Sequence, residues 1–254
     1  MSYKRKKLIL SLKNISLEIP IISKTEISLK KSFLKSVTGG GVKTSKYKTS
    51  VIALNSINLK IYAGERVALI GHNGAGKSSF IKLISGIYTQ TKGTFKKKVH
   101  VYPMLQRSFI VSNYLTGLDA AKAHYLVMNN NLKGFNNFIE DIVSFSGLGD
   151  FIALPIRTYS EGMSSRLMFS LLTYHKHECL ALDEGIGTGD ASFYEKAEKR
   201  LQNFISQSGT LILASHSDAL LNKFCSRGIV FSKGSIVYDG NLEDALEFYD
   251  KERH

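Results

Sequence analysis

One glycine-rich segment constrains the fold of this chain more than any other part of the sequence. Residues 71–78 read G-H-N-G-A-G-K-S, which matches the P-loop pattern G-x-x-x-x-G-K-S. The segment follows the apolar run 66–70 and precedes a helical pattern at 79–84. Strand, glycine loop and helix are the setting in which backbone N–H groups and a helix dipole bind phosphate oxygens. The sequence therefore predicts a site for a nucleoside triphosphate.

Two side chains at the end of this loop have predicted roles of their own. Lys77 is expected to place its ammonium on the β- and γ-phosphates, and Ser78 to offer its hydroxyl to Mg²⁺. The other predicted contacts to the nucleotide come from Gly71, His72, Asn73, Gly74, Ala75, Gly76 and Ser79.

Length and cysteine content exclude several classes of protein. A chain of 254 residues can bury one large core or two small ones. Its two cysteines, Cys179 and Cys225, have neither a disulfide pattern nor a zinc spacing, which predicts reduced thiols in a cytosolic protein. Because no apolar run approaches the length of a membrane-spanning helix, none is predicted.

The net charge of +13 is concentrated at the start of the chain. Residues 1–50 contain twelve Lys and Arg and two Glu, a net charge of +10. Within them, residues 25–37 predict a short basic amphipathic helix with an apolar stripe of Leu29, Phe33, Leu34 and Val37. The segment either meets an anionic surface, which would be a membrane leaflet or nucleic acid, or is a solvated extension.

The order of apolar patterns predicts an α/β fold with a mainly parallel central sheet and additional antiparallel strands. Gly86 and Gly93 are expected to bound a loop. Strands are predicted at 8–19, 51–62, 66–70, 99–105, 180–182 and 211–214, with a hairpin at 229–231 and 235–238. Helices are predicted at 115–129, 135–145, 191–206, 217–224 and 242–249.

A pair of carboxylates follows the apolar strand predicted at 180–182. If this strand lies next to the P-loop strand, Asp183 comes to lie beside Mg²⁺ and Glu184 near the γ-phosphate. A carboxylate there can orient an attacking water or accept its proton. An acidic turn after an ordinary strand is the alternative.

Residues 159–163, about 20 residues before that pair, precede a helical pattern. Ser160 could cap this helix. The segment also resembles the signature motif of ATP-binding cassette (ABC) proteins, whose serine and glycine contact ATP held by the other subunit. Ser160 and Gly162 match that motif, whereas Tyr159, Glu161 and Met163 depart from its usual form, Leu-Ser-Gly-Gly-Gln.

Further segments resemble motifs of the same superfamily. Residues 187–190 correspond to its D-loop, His216 after an apolar strand to its switch histidine, and Gln106 to its Q-loop glutamine, which reaches Mg²⁺. The aromatic residue that stacks on adenine is absent, since Ile19 stands in its place. Tyr47 is a candidate substitute.

Within the superfamily, the chain resembles the polysaccharide-export ATPases. The segments that carry this resemblance are 39–41, 53–57, 71–78, 115–117, 159–167 and 183–193. It implies one ABC nucleotide-binding domain over residues 1–254, with a RecA-like mainly parallel core sheet and an antiparallel β subdomain. It further implies a helical subdomain at about 110–175 and a basic insertion at about 20–50.

The resemblance implies the ATP-hydrolysing subunit of an exporter for lipid-linked polysaccharide, with O-antigen as the first candidate and capsule or teichoic acid as alternatives. Its expected place is the cytoplasmic face of the bacterial inner membrane. Its expected partners are a separate transmembrane permease, in a complex of two plus two, and a second copy of itself, with no nucleic acid. A soluble ABC ATPase acting on nucleic acid, a subunit that only binds nucleotide, and an importer or drug-export ATPase are the other possibilities.

The resemblance also assigns roles to residues. Glu184 and His216 are the expected catalytic residues. Mg²⁺ is expected at Ser78, Gln106 and Asp183, and ATP at residues 71–79, Gln106, Ser160 and Gly162. The predicted last helix leaves no room before the end of the sequence for a C-terminal β-sandwich, so recognition of a polymer's chemical end is not expected.

Overall fold

The computed structural model describes residues 7–20, 50–105, 112–183 and 191–252. Several predicted features lie outside these ranges. They are the basic helix at 25–37, Tyr47, Gln106, Glu184 and the segment 187–190.

The described residues form strands and helices that alternate along the chain. The strands are β1 (Leu8–Pro20), β2 (Ser50–Tyr62), β3 (Arg66–Ile70), β4 (Lys92–Lys97), β5 (Val101–Leu105), β6 (Cys179–Asp183), β7 (Thr210–Ala214), β8 (Arg227–Ser232) and β9 (Ser235–Asn241). The helices are α1 (Lys77–Ser85), α2 (Gly117–Asn129), α3 (Phe135–Ser146), α4 (Glu161–Leu172), α5 (Ala191–Gln207), α6 (Asp218–Phe224) and α7 (Leu242–Glu252). This order confirms the predicted α/β class.

Three strands form an antiparallel sheet in the order β2-β1-β4. The prediction that Gly93 bounds a loop is wrong, because this residue lies inside β4. Gly93 has φ +89°, and a side chain there would collide with the carbonyl of Lys13. Glycine therefore lets β4 approach β1 at the irregularity between Lys13 and Ser16.

Six strands form the central sheet in the order β5-β6-β7-β3-β8-β9, parallel except for the β8–β9 hairpin. The strand that ends in Asp183 was expected next to the P-loop strand, and this adjacency is wrong, since β7 lies between them. The register nevertheless aligns their carboxyl ends, because Ala214 pairs with Asp183 on one side and with Leu69 on the other.

The central sheet is buried on both faces. Val67 and Leu69 of β3 pack into a core with α1 and the antiparallel sheet. Ala68 and Ile70, which point to the other face, pack into a second core with residues of α5, α6 and α7. A parallel strand covered on both faces reads as a continuous apolar run, as residues 67–70 do.

Helices α2, α3 and α4 pack around a core of their own, with Phe138 fully buried in it. Helix α2 begins two residues later than predicted because the Thr116 side chain caps it by accepting a hydrogen bond from Asp119 N. Short 3₁₀ turns at Gly149–Ala153 and Ile156–Thr158 lead into α4 and were not predicted. None of the helices within the described ranges is long and apolar enough to cross a membrane.

Candidate nucleotide site

The P-loop segment connects β3 to α1. Its glycines Gly71, Gly74 and Gly76 have φ of +145°, +81° and +113°, a region that other residues rarely adopt. At Gly76 a side chain would also come within 3.0 Å of the Ala53 carbonyl oxygen. This glycine therefore lets the loop lie directly against β2.

The loop presents positive charge to its concave side. Helix α1 starts after Gly76, which has no side chain to accept hydrogen bonds from the first N–H groups of the helix. Lys77 is only 9% exposed. Its ammonium donates to the carbonyl oxygens of Gly71 at 2.5 Å and of His72 at 3.2 Å. Fixed N–H groups and a buried ammonium together form a site for an anion.

The carboxyl ends of neighbouring strands complete the site. A cavity of about 270 Å³ is lined by the loop residues 72–79, by Asp183 at the end of β6, and by Ala214, Ser215 and His216 after β7. The structure thus brings together the predicted loop residues 72–79, Asp183 and His216, whereas Gly71, which was also predicted, does not line the cavity. Ala214 and Ser215 were not predicted, although their position beside His216 at a strand end is the signal that could have identified them.

A hydrogen bond joins two predicted site residues from distant parts of the chain. Nε2 of His216 lies 3.0 Å from Oδ1 of Asn73 in the P-loop, so this ring nitrogen donates and the amide oxygen accepts. The contact orients the imidazole toward the phosphate loop across 143 residues of sequence. No local pattern in the sequence predicts it.

The other end of the cavity is apolar. Ile19, at the end of β1, pairs with Val51 at the start of β2, and both line the cavity together with Ile52. Val51 is 50% exposed and Ile52 59% exposed, although both side chains are aliphatic. Sequence reasoning named Ile19 as the departure from an aromatic residue but missed the two residues of β2. The sequence feature that could have identified Val51 and Ile52 is that two apolar residues stand at the start of a predicted strand.

The predicted signature residues lie at the start of α4, and neither of them lines the cavity. Ser160 is the N-cap of this helix, where its hydroxyl accepts a hydrogen bond from Met163 N at 3.1 Å. Gly162 has no left-handed φ, and a side chain there would meet nothing nearer than 3.9 Å. The fold of the described residues therefore does not require glycine at position 162.

The cavity fits a nucleotide with Mg²⁺ in the chemistry of both its ends. The cationic loop suits phosphates, and the aliphatic end suits the flat face of a base. Ser78 and Asp183 offer a hydroxyl and a carboxylate, which are hard oxygen ligands of the kind that Mg²⁺ takes along with phosphate oxygens and water. A cluster of three or more His, Cys, Asp or Glu that could hold a metal is absent from the described ranges, and such a mixed site does not need one.

A family model described as ABC transporter matches residues 54–187, which is more than half of the chain. The O-antigen export system ATP-binding protein RfbE of Yersinia enterocolitica is 35% identical over 91% of this chain and 97% of its own length. The capsule polysaccharide export ATP-binding protein CtrD of Neisseria meningitidis is 33% identical over 78% of this chain and 89% of its own length. The teichoic acids export ATP-binding protein TagH of Lactococcus lactis is 33% identical over 87% of this chain, which spans 47% of that protein.

Solved structures agree on the fold. An ATP-binding subunit of an ABC transporter superposes with a TM-score of 0.64 over 95% of this chain and 93% of its own length, at 17% identity. A dimeric bacterial ABC transporter cassette gives a TM-score of 0.62 over 92% of this chain and 99% of its own length, at 17% identity.

The fold and the P-loop cavity define an ATP-binding cassette ATPase. More particularly, the chain belongs to the ABC transporter family, in the group of ATP-binding proteins of polysaccharide export systems. The family binds ATP, and ATP hydrolysis is its general activity.

Proposed function

We propose that this chain supplies ATP hydrolysis to an exporter of lipid-linked polysaccharide at the cytoplasmic face of a bacterial inner membrane. The observation that carries the proposal is the single cavity in which Lys77, Asp183 and His216 meet. O-antigen is the first candidate for the polymer, because RfbE is matched over nearly the full length of both chains. Capsule polysaccharide and teichoic acid are the alternatives, since relatives named for their export are almost as similar.

The phosphates of ATP would be held by the N–H groups of residues 71–79 and by the Lys77 ammonium, which would exchange carbonyl oxygens for phosphate oxygens. Ser78, Gln106 and Asp183 would hold Mg²⁺, with Asp183 acting through water. The metal would neutralise charge on the β- and γ-phosphate oxygens. Ser78 and Asp183 both line this cavity.

The base would lie on the aliphatic end of the cavity. Val51 and Ile52 expose half or more of their surface there, and contact with a base would remove that apolar surface from water. Ile19 pairs with Val51 across β1 and β2, and Ile52 is the next residue of β2, so the three residues are close neighbours at this end of the cavity. Dispersion contacts of this kind would replace the aromatic stacking of other ABC proteins.

Hydrolysis would depend on two side chains that approach the γ-phosphate from neighbouring strand ends. Glu184, the residue after Asp183, would orient the attacking water and accept its proton. His216, oriented by Asn73 at 3.0 Å, would contact the γ-phosphate. In this arrangement binding depends on the loop, whereas turnover depends on the carboxylate.

A second copy of the chain would close the site. Ser160 and Gly162 do not line the cavity of their own chain, yet they lie at the N-terminus of α4, where backbone N–H groups attract an anion. Across a dimer they would reach the γ-phosphate of ATP bound to the other copy. Two copies would act on two permease subunits, through a helical subdomain at about 110–175 within one domain of residues 1–254.

The Glu184→Gln variant tests the assignment in the complex reconstituted with its permease. It should keep the ATP affinity of the wild type and lose phosphate release, because only the water-activating carboxylate changes. Glu140→Gln, an exposed carboxylate on α3, is the matched control and should hydrolyse ATP normally. Phosphate release at the wild-type rate from the Glu184→Gln complex would refute the catalytic role.

The same two variants test the transported polymer in cells. Replacing the chromosomal gene by the Glu184→Gln form should remove the polymer from the cell surface and leave it lipid-linked inside. The sugar composition of the retained polymer then distinguishes O-antigen from capsule and teichoic acid. A normal surface polymer in these cells would contradict the export function.

A further inference from the structure

A lysine-rich groove of about 530 Å³ lies on the three-stranded antiparallel sheet, apart from the nucleotide cavity. Four lysines line it, one from β1, one from β2, one from β4 and one just after β4. They are Lys13, Lys60, Lys96 and Lys98, and all four are exposed. We call this set of four residues the lysine face. The nucleotide site makes no use of it.

The strand register fixes these lysines as neighbours. Ser11 of β1 pairs with Lys60 of β2 on one side and with Lys96 of β4 on the other. Residues directly opposite each other point to the same face of a sheet, so the side chains of Lys60 and Lys96 leave the sheet on the same face as Ser11, one on each side of it. Because strands lie about 4.8 Å apart, the backbones at Lys60 and Lys96 are only about 10 Å apart. Lys13, two residues after Ser11 in β1, pairs with Thr94, two residues before Lys96 in β4.

Among the described residues, none that lines the groove is acidic, so the positive charge of the lysine face has no carboxylate beside it there. In the part of the chain that the structure describes, carboxylates form ion pairs with cations outside the lysine face. Glu18 pairs with Lys92, and both Glu65 and Asp239 pair with Arg227. Like charges on one sheet face repel and reduce stability. An external anion would offset that cost.

The chain just before β1 is held beside this end of the sheet, next to the groove. The Lys7 carbonyl oxygen accepts a hydrogen bond from Ala63 N at 2.8 Å, and the next residue, Leu8, lines the groove. Lys4, Arg5 and Lys6 precede Lys7 in the sequence.

We propose that the lysine face binds the phosphate headgroups of anionic lipids in the leaflet next to the exporter, a role that rests on the membrane setting of the proposed function. Ammonium groups and the hydroxyls of Ser11 and Thr94 suit lipid phosphates, and Leu8 and Ile9 give the groove an apolar floor. Single-stranded nucleic acid fits less well, because none of the described residues that line the groove is an aromatic residue on which a base could stack.

Vesicle co-sedimentation of the purified full chain, without nucleotide, tests the proposal. Vesicles of phosphatidylcholine alone are compared with vesicles that also contain phosphatidylglycerol. Lys60→Gln combined with Lys96→Gln should weaken binding to the anionic vesicles roughly 30-fold, because each lysine near such a surface contributes about a fivefold factor. The pair Lys122→Gln and Lys133→Gln loses the same charge from exposed positions outside the groove and should bind nearly as the wild type does.

A second variant pair in the same groove, Lys13→Gln with Lys98→Gln, should weaken binding to a similar extent. Circular dichroism and ATP affinity should match the wild type in every variant, which separates loss of lipid binding from loss of folding. Equal weakening by the groove pairs and the control pair would overturn the proposal, as would wild-type binding that ignores phosphatidylglycerol. Tighter binding to duplex nucleic acid than to anionic vesicles would overturn it in favour of the nucleic-acid interpretation. Since no step requires ATP, failure here leaves the ATPase test above unaffected.

Discussion

Replacing Lys77 by alanine should weaken ATP binding strongly while the chain remains folded. Lys77 is 9% exposed, and its ammonium lies within 3.2 Å of two loop carbonyl oxygens, inside the concavity where the phosphates are proposed to bind. When phosphate replaces those carbonyl oxygens, one set of hydrogen bonds is exchanged for another. The net gain is therefore that of a charge-assisted hydrogen bond, about 1.5–3 kcal/mol.

This free energy corresponds to a dissociation constant about 10- to 150-fold higher in the Lys77→Ala variant. Isothermal titration calorimetry with ATP and Mg²⁺ at fixed ionic strength measures the change, because salt screens part of the attraction. Alanine is a strong helix former, so α1 should still begin at this position. A melting temperature close to that of the wild type would show that the fold is retained.

Lys82 provides the matched control on the same helix. Its ammonium lies 5.6 Å from the centre of the Tyr88 ring, and the residue does not line the nucleotide cavity. Lys82→Ala should therefore keep the affinity of the wild type. Unchanged affinity in folded Lys77→Ala would show that the P-loop is not the main phosphate site.

Three further perturbations separate folding from function. Gly162→Ala should stabilise the fold by about 0.5–1 kcal/mol, because alanine fits at this helical position. The same substitution should lower the ATPase activity of the reconstituted complex. Normal activity would argue against close approach of a second copy to this residue. Burial, and then the nearby His175, lowers the pKa of His124 to about 4. Between about pH 6.5 and pH 4, His124 is therefore protonated in the unfolded chain but neutral in the folded protein. The free energy of unfolding falls as the pH drops through this window, by at most ~1.4 kcal/mol per pH unit. Urea denaturation of His124→Gln should show a shallower loss over that window, and an unchanged slope would refute the assignment. Phe33→Glu with Leu34→Glu, in the predicted basic helix, should cut export and leave basal ATPase activity in place, as a surface-polymer assay would show.

Much of the nucleotide site could be predicted from the sequence because the residues of its phosphate loop are adjacent in the chain. Gly71, Gly76 and Lys77 are close neighbours in the chain, and their conformations follow from the permitted φ of glycine and from the start of a helix. The apolar run before them and the carboxylate at Asp183 indicated two strands whose ends carry polar groups. Fixed spacing along the chain was sufficient for these inferences.

The remaining features depend on pairings that no short pattern records. The sequence of β4, with only Phe95 apolar, does not look like a strand, and only pairing with β1 makes it one. Likewise, β7 lies between β3, the strand before the P-loop, and β6, the strand that ends at Asp183, yet its register still aligns the ends of both strands at one cavity.

The sequence by itself thus determined that this chain has a phosphate loop, an α/β order and the residues for ATP chemistry. Tertiary structure decided which side chains face one another: His216 with Asn73, Ile19 with Val51, and Lys60 with Lys96 across Ser11. The physical reason is that glycine conformations and helix starts depend on adjacent residues. Strand order and register instead depend on burial and hydrogen bonds summed over segments far apart in the chain.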